Sequence, residues 1–247
     1  MKYNKENLIG HELEAVKENG CNIRFIDNPS EAVQLEAVKQ YSYAIQLIEN
    51  PSEEVQLEAV KNDGYTIKYI KNPSEEVQLE AVKQECYNID YIDNPTEKVQ
   101  LAAIKEDGMV IEYIENPAET IQMEAVKQYG GAIEYIKNPS ENVQLEAVKQ
   151  NGKSIQYIDN PSVEVQLEAV KAFGLNIQFI KNPSEVVQLE AVKQNKNVIN
   201  YITNATKKVQ IEVASRFIKN LLHNNNPSDE EKYELIKIIC RLKDDSN

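Results

Sequence analysis

The dipeptide Asn-Pro begins at positions 28, 50, 72, 94, 116, 138, 160 and 182, each 22 residues after the last. The next two steps reach Asn204, followed by Ala205, and Asn226, followed again by proline. All nine prolines of the 247-residue chain lie in this register. A fixed internal period marks a repeat architecture, in which each unit buries its apolar face only by stacking on its neighbours. The unit reads approximately NPSEEVQLEAVKQNGYAIQYIK and runs from about residue 6 to residue 225, with a degenerate copy at each end.

Each unit predicts two helices. Asn28 reads as an N-cap, Pro29 as the first helical residue and Glu31 as the acid that completes a capping box. The first helix is expected to run to about Lys39. Glycine at 20, 64, 108, 130, 152 and 174 then reads as a left-handed stop. A shorter second helix, over 65–70 for example, leads to the next asparagine. Ala, Glu and the caps favour helix over strand; the alternative at this repeat length is a parallel β-helix. The expected fold is all-α: a right-handed α-solenoid of about ten two-helix repeats with a C-terminal capping helix, in a single domain. Residues 1–27 read as an N-terminal capping repeat, 28–203 as the regular repeats, and 204–247 as a degenerate repeat and C-terminal cap.

Around the first helix at about 100° per residue, with Val33 at zero, Ala37, Val38 and Leu35 fall on a wide apolar arc. Glu36 and Lys39 fall on the solvent side, where they pair at i,i+3 for a few tenths of a kcal/mol. Gln34 falls inside the arc, and Gln recurs there at 56, 78, 100, 122, 144, 166, 188 and 210. A buried amide needs partners. The expectation is a ladder of glutamines bonded to each other or to neighbouring backbone; a ligand groove lined by amides is the functional alternative. Tyrosine at 69, 91, 113, 135, 157 and 201 offers a hydroxyl, but Phe25, Leu47 and Phe179 share that column while Gln persists.

In a solenoid the columns that vary from copy to copy are the ones that can read a partner. The exposed second-helix column runs Arg24, Gln46, Lys68, Asp90, Glu112, Glu134, Gln156, Gln178 and Asn200. The turns add Tyr41, Asp63, Glu85, Asp107, Tyr129 and Phe173, and Tyr43, Tyr65 and Tyr87 start three successive second helices. Aromatics at such edges serve as binding anchors or as lids on a core. The candidate contact residues are therefore Tyr43, Tyr65, Tyr87, Asp90, Glu112, Glu134, Tyr129 and Phe173.

Lys plus Arg total 27 against 40 Asp plus Glu, a net charge of −13, which excludes a general nucleic-acid binder. Residues 196–247 hold nine basic and seven acidic side chains, and the preceding 195 residues hold 18 and 33, a net of −15. Tyr233, Leu235, Ile236, Ile238, Ile239 and Leu242 lie on one longer amphipathic helix, which reads as a cap or as a homodimer contact. No run approaches the ~20 apolar residues of a membrane helix. The opening MKYNKENLIGHELE has no signal-peptide core, and Cys21, Cys86 and Cys240 form neither a disulfide framework nor a metal knuckle. A reducing cytoplasm is the expected compartment.

Catalysis finds no constellation. His11 and His223 lie in opposite terminal copies, with no nucleophile and base grouped around either. Gly152-Lys153-Ser154 resembles the end of a phosphate-binding loop, but the earlier glycine is Ala147 and a helix precedes it. No cofactor or metal is expected, and repeated Glu on a helix face reads as solvated scaffolding.

Tandem NPSEEVQLEAVKQNG units resemble the short two-helix repeats of uncharacterised bacterial and bacteriophage proteins. They are similar in architecture to HEAT repeats, though much shorter than the ~40 residues of a HEAT unit. The resemblance implies a scaffold and carries over no catalytic residue. The expected function is a non-enzymatic protein-binding module with a protein partner, no direct nucleic-acid contact and no membrane, monomeric or homodimeric through its C-terminal helix. The alternative is an acidic, nucleic-acid-mimicking decoy, phage-encoded, that occupies the basic groove of a host defence enzyme.

Overall fold

In the computed structural model, which describes residues 11–223 and 228–244, the Asn-Pro junction is a backbone bend before it is anything else. Asn28, Asn50, Asn72, Asn94, Asn116, Asn138, Asn160 and Asn182 all hold φ of 50–53°, in the left-handed region. Proline disfavours right-handed helix in the residue before it, and asparagine tolerates the left-handed alternative better than other side chains with a Cβ. Among the described residues no other non-glycine residue has positive φ, Asn204 before Ala205 included. The asparagine is thus not the cap. The hydroxyls of Ser30, Ser52, Ser74, Thr96, Ser140, Ser162 and Thr206, two residues later, accept the backbone N–H three positions on, as Ser74 does from Val77 at 3.4 Å.

The α-helices, α1 to α11 in chain order, are Glu12–Glu18, Glu31–Gln40, Glu53–Asn62, Glu75–Gln84, Glu97–Glu106, Glu119–Gln128, Glu141–Gln150, Val163–Ala172, Glu185–Gln194, Lys207–His223 and Asp229–Asp244. Each of α1 to α9 is followed by a six-residue 3-10 helix, such as Ser42–Leu47, Gly64–Tyr69, Cys86–Tyr91 and Gly108–Tyr113. The second element is therefore 3-10 and not α. Six residues at about 2.0 Å rise cover about 12 Å, close to the ~15 Å of a ten-residue α-helix. That match lets so short a repeat close both of its layers.

Among the described residues there is no strand. Two compact units, Met1–Ala125 and Val126–Asn247, divide inside α6. Each is an all-α solenoid of sequentially stacked repeats. In the first, α1 packs on α2, α2 on α3, α3 on α4 and α4 on α5, and the 3-10 helices stack in a parallel layer. In the second, α7, α8, α9, α10 and α11 pack in order beside the layer that begins at Gly130–Tyr135. The core repeats like the sequence: Val55, Ala59 and Val60 from the α-helix and Ile67 from the 3-10 helix are each 0–1% exposed.

Bonds between successive repeats fix the stack. The first helical Glu accepts a hydroxyl from the next repeat: Glu31 from Ser52, Glu53 from Ser74, Glu75 from Thr96 at 2.8 Å and Glu185 from Thr206 at 2.7 Å. Glu31 so reaches the next repeat and does not close a capping box. At the other end, Gln84 Nε2 donates to the carbonyls of Val60 and Lys61 at 2.7 and 2.8 Å, and its Oε1 accepts the Gly64 N–H at 2.8 Å. These are orphan groups of the preceding α-helix and the following 3-10 helix. The glycines correct a second expectation. No left-handed φ accompanies them, and the helices end on extended residues such as Tyr41, φ −156°. Glycine is there for close approach: a Cβ on Gly20 would sit 2.3 Å from the Ala37 carbonyl.

The glutamine column also resolves. Gln210 donates to the carbonyl of Ala205, which stands in the proline's place, at 3.0 Å. From Gln34 to Gln188 each Nε2 donates to the proline carbonyl of its own repeat, Gln56 to Pro51 and Gln122 to Pro117 at 2.9 and 2.8 Å. It reaches neither the next glutamine nor a tyrosine. The Glu36 column, expected in solvent, is half-buried; Glu190–Lys193 at 3.1 Å is an i,i+3 pair of the expected kind.

Candidate binding surface

A 3-10 helix has three residues per turn, so positions i and i+3 eclipse. In Gly64–Tyr69 this aligns Gly64 with Ile67 and Tyr65 with Lys68, and Gly64 and Ile67 are buried while Lys68 is exposed. Lys68 Nζ lies 4.2 Å from the Tyr65 ring centroid, 5.1 Å from Tyr69 and 5.8 Å from Tyr91, and donates to the Tyr65 hydroxyl. The ammonium is caged by three rings from two repeats.

The cage belongs to a longer series. Tyr43 meets Tyr69 edge-on at 5.9 Å, Tyr65 meets Tyr91 at 5.0 Å and Tyr87 meets Tyr113 at 5.7 Å. Every pair joins residues 26 apart, one repeat plus four, and T-shaped contact suits the ring quadrupoles. Tyr41 stacks on Tyr43 at 5.5 Å. Tyr41, Tyr87, Tyr91 and Tyr113 remain exposed, whereas Tyr43, Tyr65 and Tyr69 are half-buried.

Charged partners hold the hydroxyls. Tyr87 donates to Asp107 Oδ2 at 2.8 Å, and this bond to a carboxylate, helped by partial burial, pushes its pKa up to about 12. The other oxygen of Asp107 accepts the Met109 N–H at 2.8 Å and caps that 3-10 helix. Asp63 repeats the arrangement, accepting the Tyr65 N–H at 3.0 Å and raising the Tyr43 hydroxyl through a hydrogen bond. Around Lys68 the signs reverse: its hydrogen bond lowers the Tyr65 pKa, and the tyrosine in turn raises that of Lys68.

The sequence candidates separate accordingly. In the first unit Tyr43, Tyr65 and Tyr87 come together with Tyr69, Tyr91 and Tyr113, and Asp90 and Glu112 stand exposed on the same 3-10 layer. In the second unit Tyr129 and Phe173 are exposed at turns. Glu134, also exposed, lies near Tyr157, whose pKa is raised by burial and then by that carboxylate. Residue-by-residue reading missed the partnership of the two tyrosine columns and the roles of Lys68, Asp63 and Asp107. The 26-residue spacing was the available signal.

Grooves of about 560 and 640 Å³ open beside the Asn-Pro junctions of the first unit, with Gln56 and Gln34 on their walls. They are where an amide-lined ligand site would lie. The Nε2 atoms are committed to proline carbonyls, and the Oε1 atoms are shielded from solvent and meet no donor among the described residues. The amide nitrogens of the column are therefore spent within the fold, and the charged groups on the groove walls are those of Arg24, Asp27, Glu49 and Lys71.

Among the described residues no three His, Cys, Asp or Glu side chains gather to hold a metal ion. His11 pairs with Glu14 at 3.2 Å; the His223 side chain lies outside the described ones. Burial raises the pKa of the Cys86 thiol, the reverse of what a nucleophile needs. Gly152 begins a 3-10 helix and Ser154 is buried, so no phosphate loop forms there. No described helix is long and apolar enough to cross a membrane. Comparison with protein-family models, with curated proteins and with solved structures finds no match.

Proposed function

We propose that this chain is a non-enzymatic protein-binding scaffold that contacts its partner through the tyrosine-bearing 3-10 layer of the first unit. The observation that carries the reading is the set of three edge-packed tyrosine pairs across successive repeats, with Asp63, Asp107 and Lys68 holding the hydroxyls. Rings ordered before binding lose little entropy on contact, and tyrosine is a preferred interface anchor. The same columns vary between copies, which gives a partner a distinctive surface to read. We place the protein in the cytoplasm of a bacterium or of a phage-infected bacterium.

The acidic-decoy reading draws on the net charge of −13. It gains less support from the arrangement of the carboxylates, because the first-turn Glu row is bonded to Ser and Thr hydroxyls of neighbouring repeats. Capture from host lysate followed by salt titration separates the two. A scaffold partner, held by rings and a single cation, loses affinity only shallowly with salt and is lost on Tyr65→Ala; a decoy's enzyme dissociates steeply with salt and is displaced by DNA or RNA.

Homodimerisation through the C-terminal helices is supported by a separate observation. Tyr233, Ile236 and Ile239 on α11 and Leu222 on α10 are exposed, while Ile238 is buried. Sedimentation analysis of Ile236→Asp against the parent chain tests it: a dimer becomes a monomer, and an unchanged monomeric mass for both removes the proposal.

A further inference from the structure

The repeats supply their own comparison. Tyr65 and Tyr69 of one repeat and Tyr91 of the next surround Lys68 Nζ. Shifted by 22 residues, the same columns are Tyr87, Tyr91 and Tyr113, and the position of Lys68 is held by Asp90. The ring geometry is kept: Tyr65 meets Tyr91 at 5.0 Å and 80°, and Tyr87 meets Tyr113 at 5.7 Å and 80°. The Tyr87–Tyr113 wall thus repeats the Tyr65–Tyr91 wall, with Tyr91 in the column of Tyr69 and Asp90 in the column of Lys68. Its rings are also the more open, at 38, 42 and 38% exposed for Tyr87, Tyr91 and Tyr113. The neighbouring copies do not repeat it, because Leu47 breaks the series on one side and Met109 replaces the leading tyrosine on the other.

We propose that Tyr87, Tyr91 and Tyr113 receive one cationic side chain, an arginine or lysine from a basic segment of the partner protein. The inference rests on the scaffold reading and names the chemistry of that partner. Three tyrosine faces attract a cation through their quadrupoles, and Asp90 supplies the opposite charge that the site lacks from within. Asp107 holds Tyr87 by its hydroxyl at 2.8 Å, so the wall is set before the cation arrives. Glu112, exposed in the column of Asp90 one repeat on, and the −15 charge of residues 1–195 favour approach of a basic segment.

The test is calorimetric titration with a hexa-arginine peptide at physiological salt, with melting curves confirming that every variant is folded. Asp90→Lys gives this site an internal cation like that of the Lys68 cage and is expected to weaken binding about tenfold. Glu54→Lys makes the same change of charge on an exposed helical turn away from the cage and is expected to leave binding within about twofold. Lys68→Asp empties the first cage and is expected to add a second binding equivalent. Tyr113→Leu keeps apolar bulk, removes the ring, and is expected to match Asp90→Lys. Equal losses for Asp90→Lys and Glu54→Lys, or unchanged stoichiometry for Lys68→Asp, overturn the proposal. A partner that is lost on Tyr65→Ala, together with no hexa-arginine binding to the parent chain, overturns the cation receptor and leaves the scaffold standing. Indifference of the partner to Tyr65→Ala strikes the scaffold surface itself.

Discussion

At each junction one asparagine must take φ near 50° ahead of a proline. A β-branched side chain at Asn72 is expected to cost about 1–2 kcal/mol, whereas Asn72→Gly stays near neutral because glycine reaches the same conformation without strain. Urea unfolding of the two variants checks this; equal losses would return the asparagine to a side-chain role. The cap itself is Ser74, and Ser74→Ala is expected to cost about 1 kcal/mol, since both the Val77 N–H and Glu53 lose a partner. Asparagine suits an N-cap and a left-handed bend equally well, which is why the motif was legible as a helix start while its roles were assigned one step out of place. Tyr87 carries a pH prediction. Its raised pKa favours the protonated, folded form, so its contribution is full below about pH 10 and lost as pH passes about 12. The absorbance titration of the parent chain minus that of Tyr87→Phe should show ionisation near 12, moving back toward 10 on Asp107→Asn; a normal transition in both contradicts the Asp107 bond.

Between elements, the last helical glutamine does more than the polar surface residue it resembles in sequence. Gln84 ties two carbonyls and one N–H of the preceding repeat, and Gln84→Ala is expected to cost about 1–3 kcal/mol by leaving part-buried groups short of partners. A midpoint in urea unchanged from the parent would show that water replaces the clamp. The apolar faces of both elements were legible, because Val55, Ala59, Val60, Ile67 and their copies keep one period. The 3-10 geometry was not, since Ile and Tyr suit either helix and only the lengths of the stacked layers select the tighter one. The glycines misled for a related reason. Their left-handed freedom and their lack of a Cβ look alike in sequence, and only the packed neighbour, Ala37 against Gly20, shows which is used. The tyrosine surface was half legible: both columns stood out, but their pairing crosses a repeat boundary that a column-by-column reading keeps separate.

For the whole molecule, stability should behave as a sum of repeat and neighbour terms. Deleting residues 73–94 joins Asn72 to Pro95, restores the junction and brings the Tyr113 column into register with Tyr65. The shortened protein is expected to keep its helical circular dichroism per residue and to unfold cooperatively at a lower midpoint; loss of helicity would contradict independent repeats. The functional claim is tested most directly by amide hydrogen exchange of the complex formed with the partner captured from host lysate. Slowed exchange on binding is expected along Ser42–Leu47, Gly64–Tyr69, Cys86–Tyr91 and Gly108–Tyr113, with the helices Glu53–Asn62 and Glu75–Gln84 little changed. Protection that falls on those α-helices or on Asp229–Asp244, and spares the tyrosine layer, would contradict it.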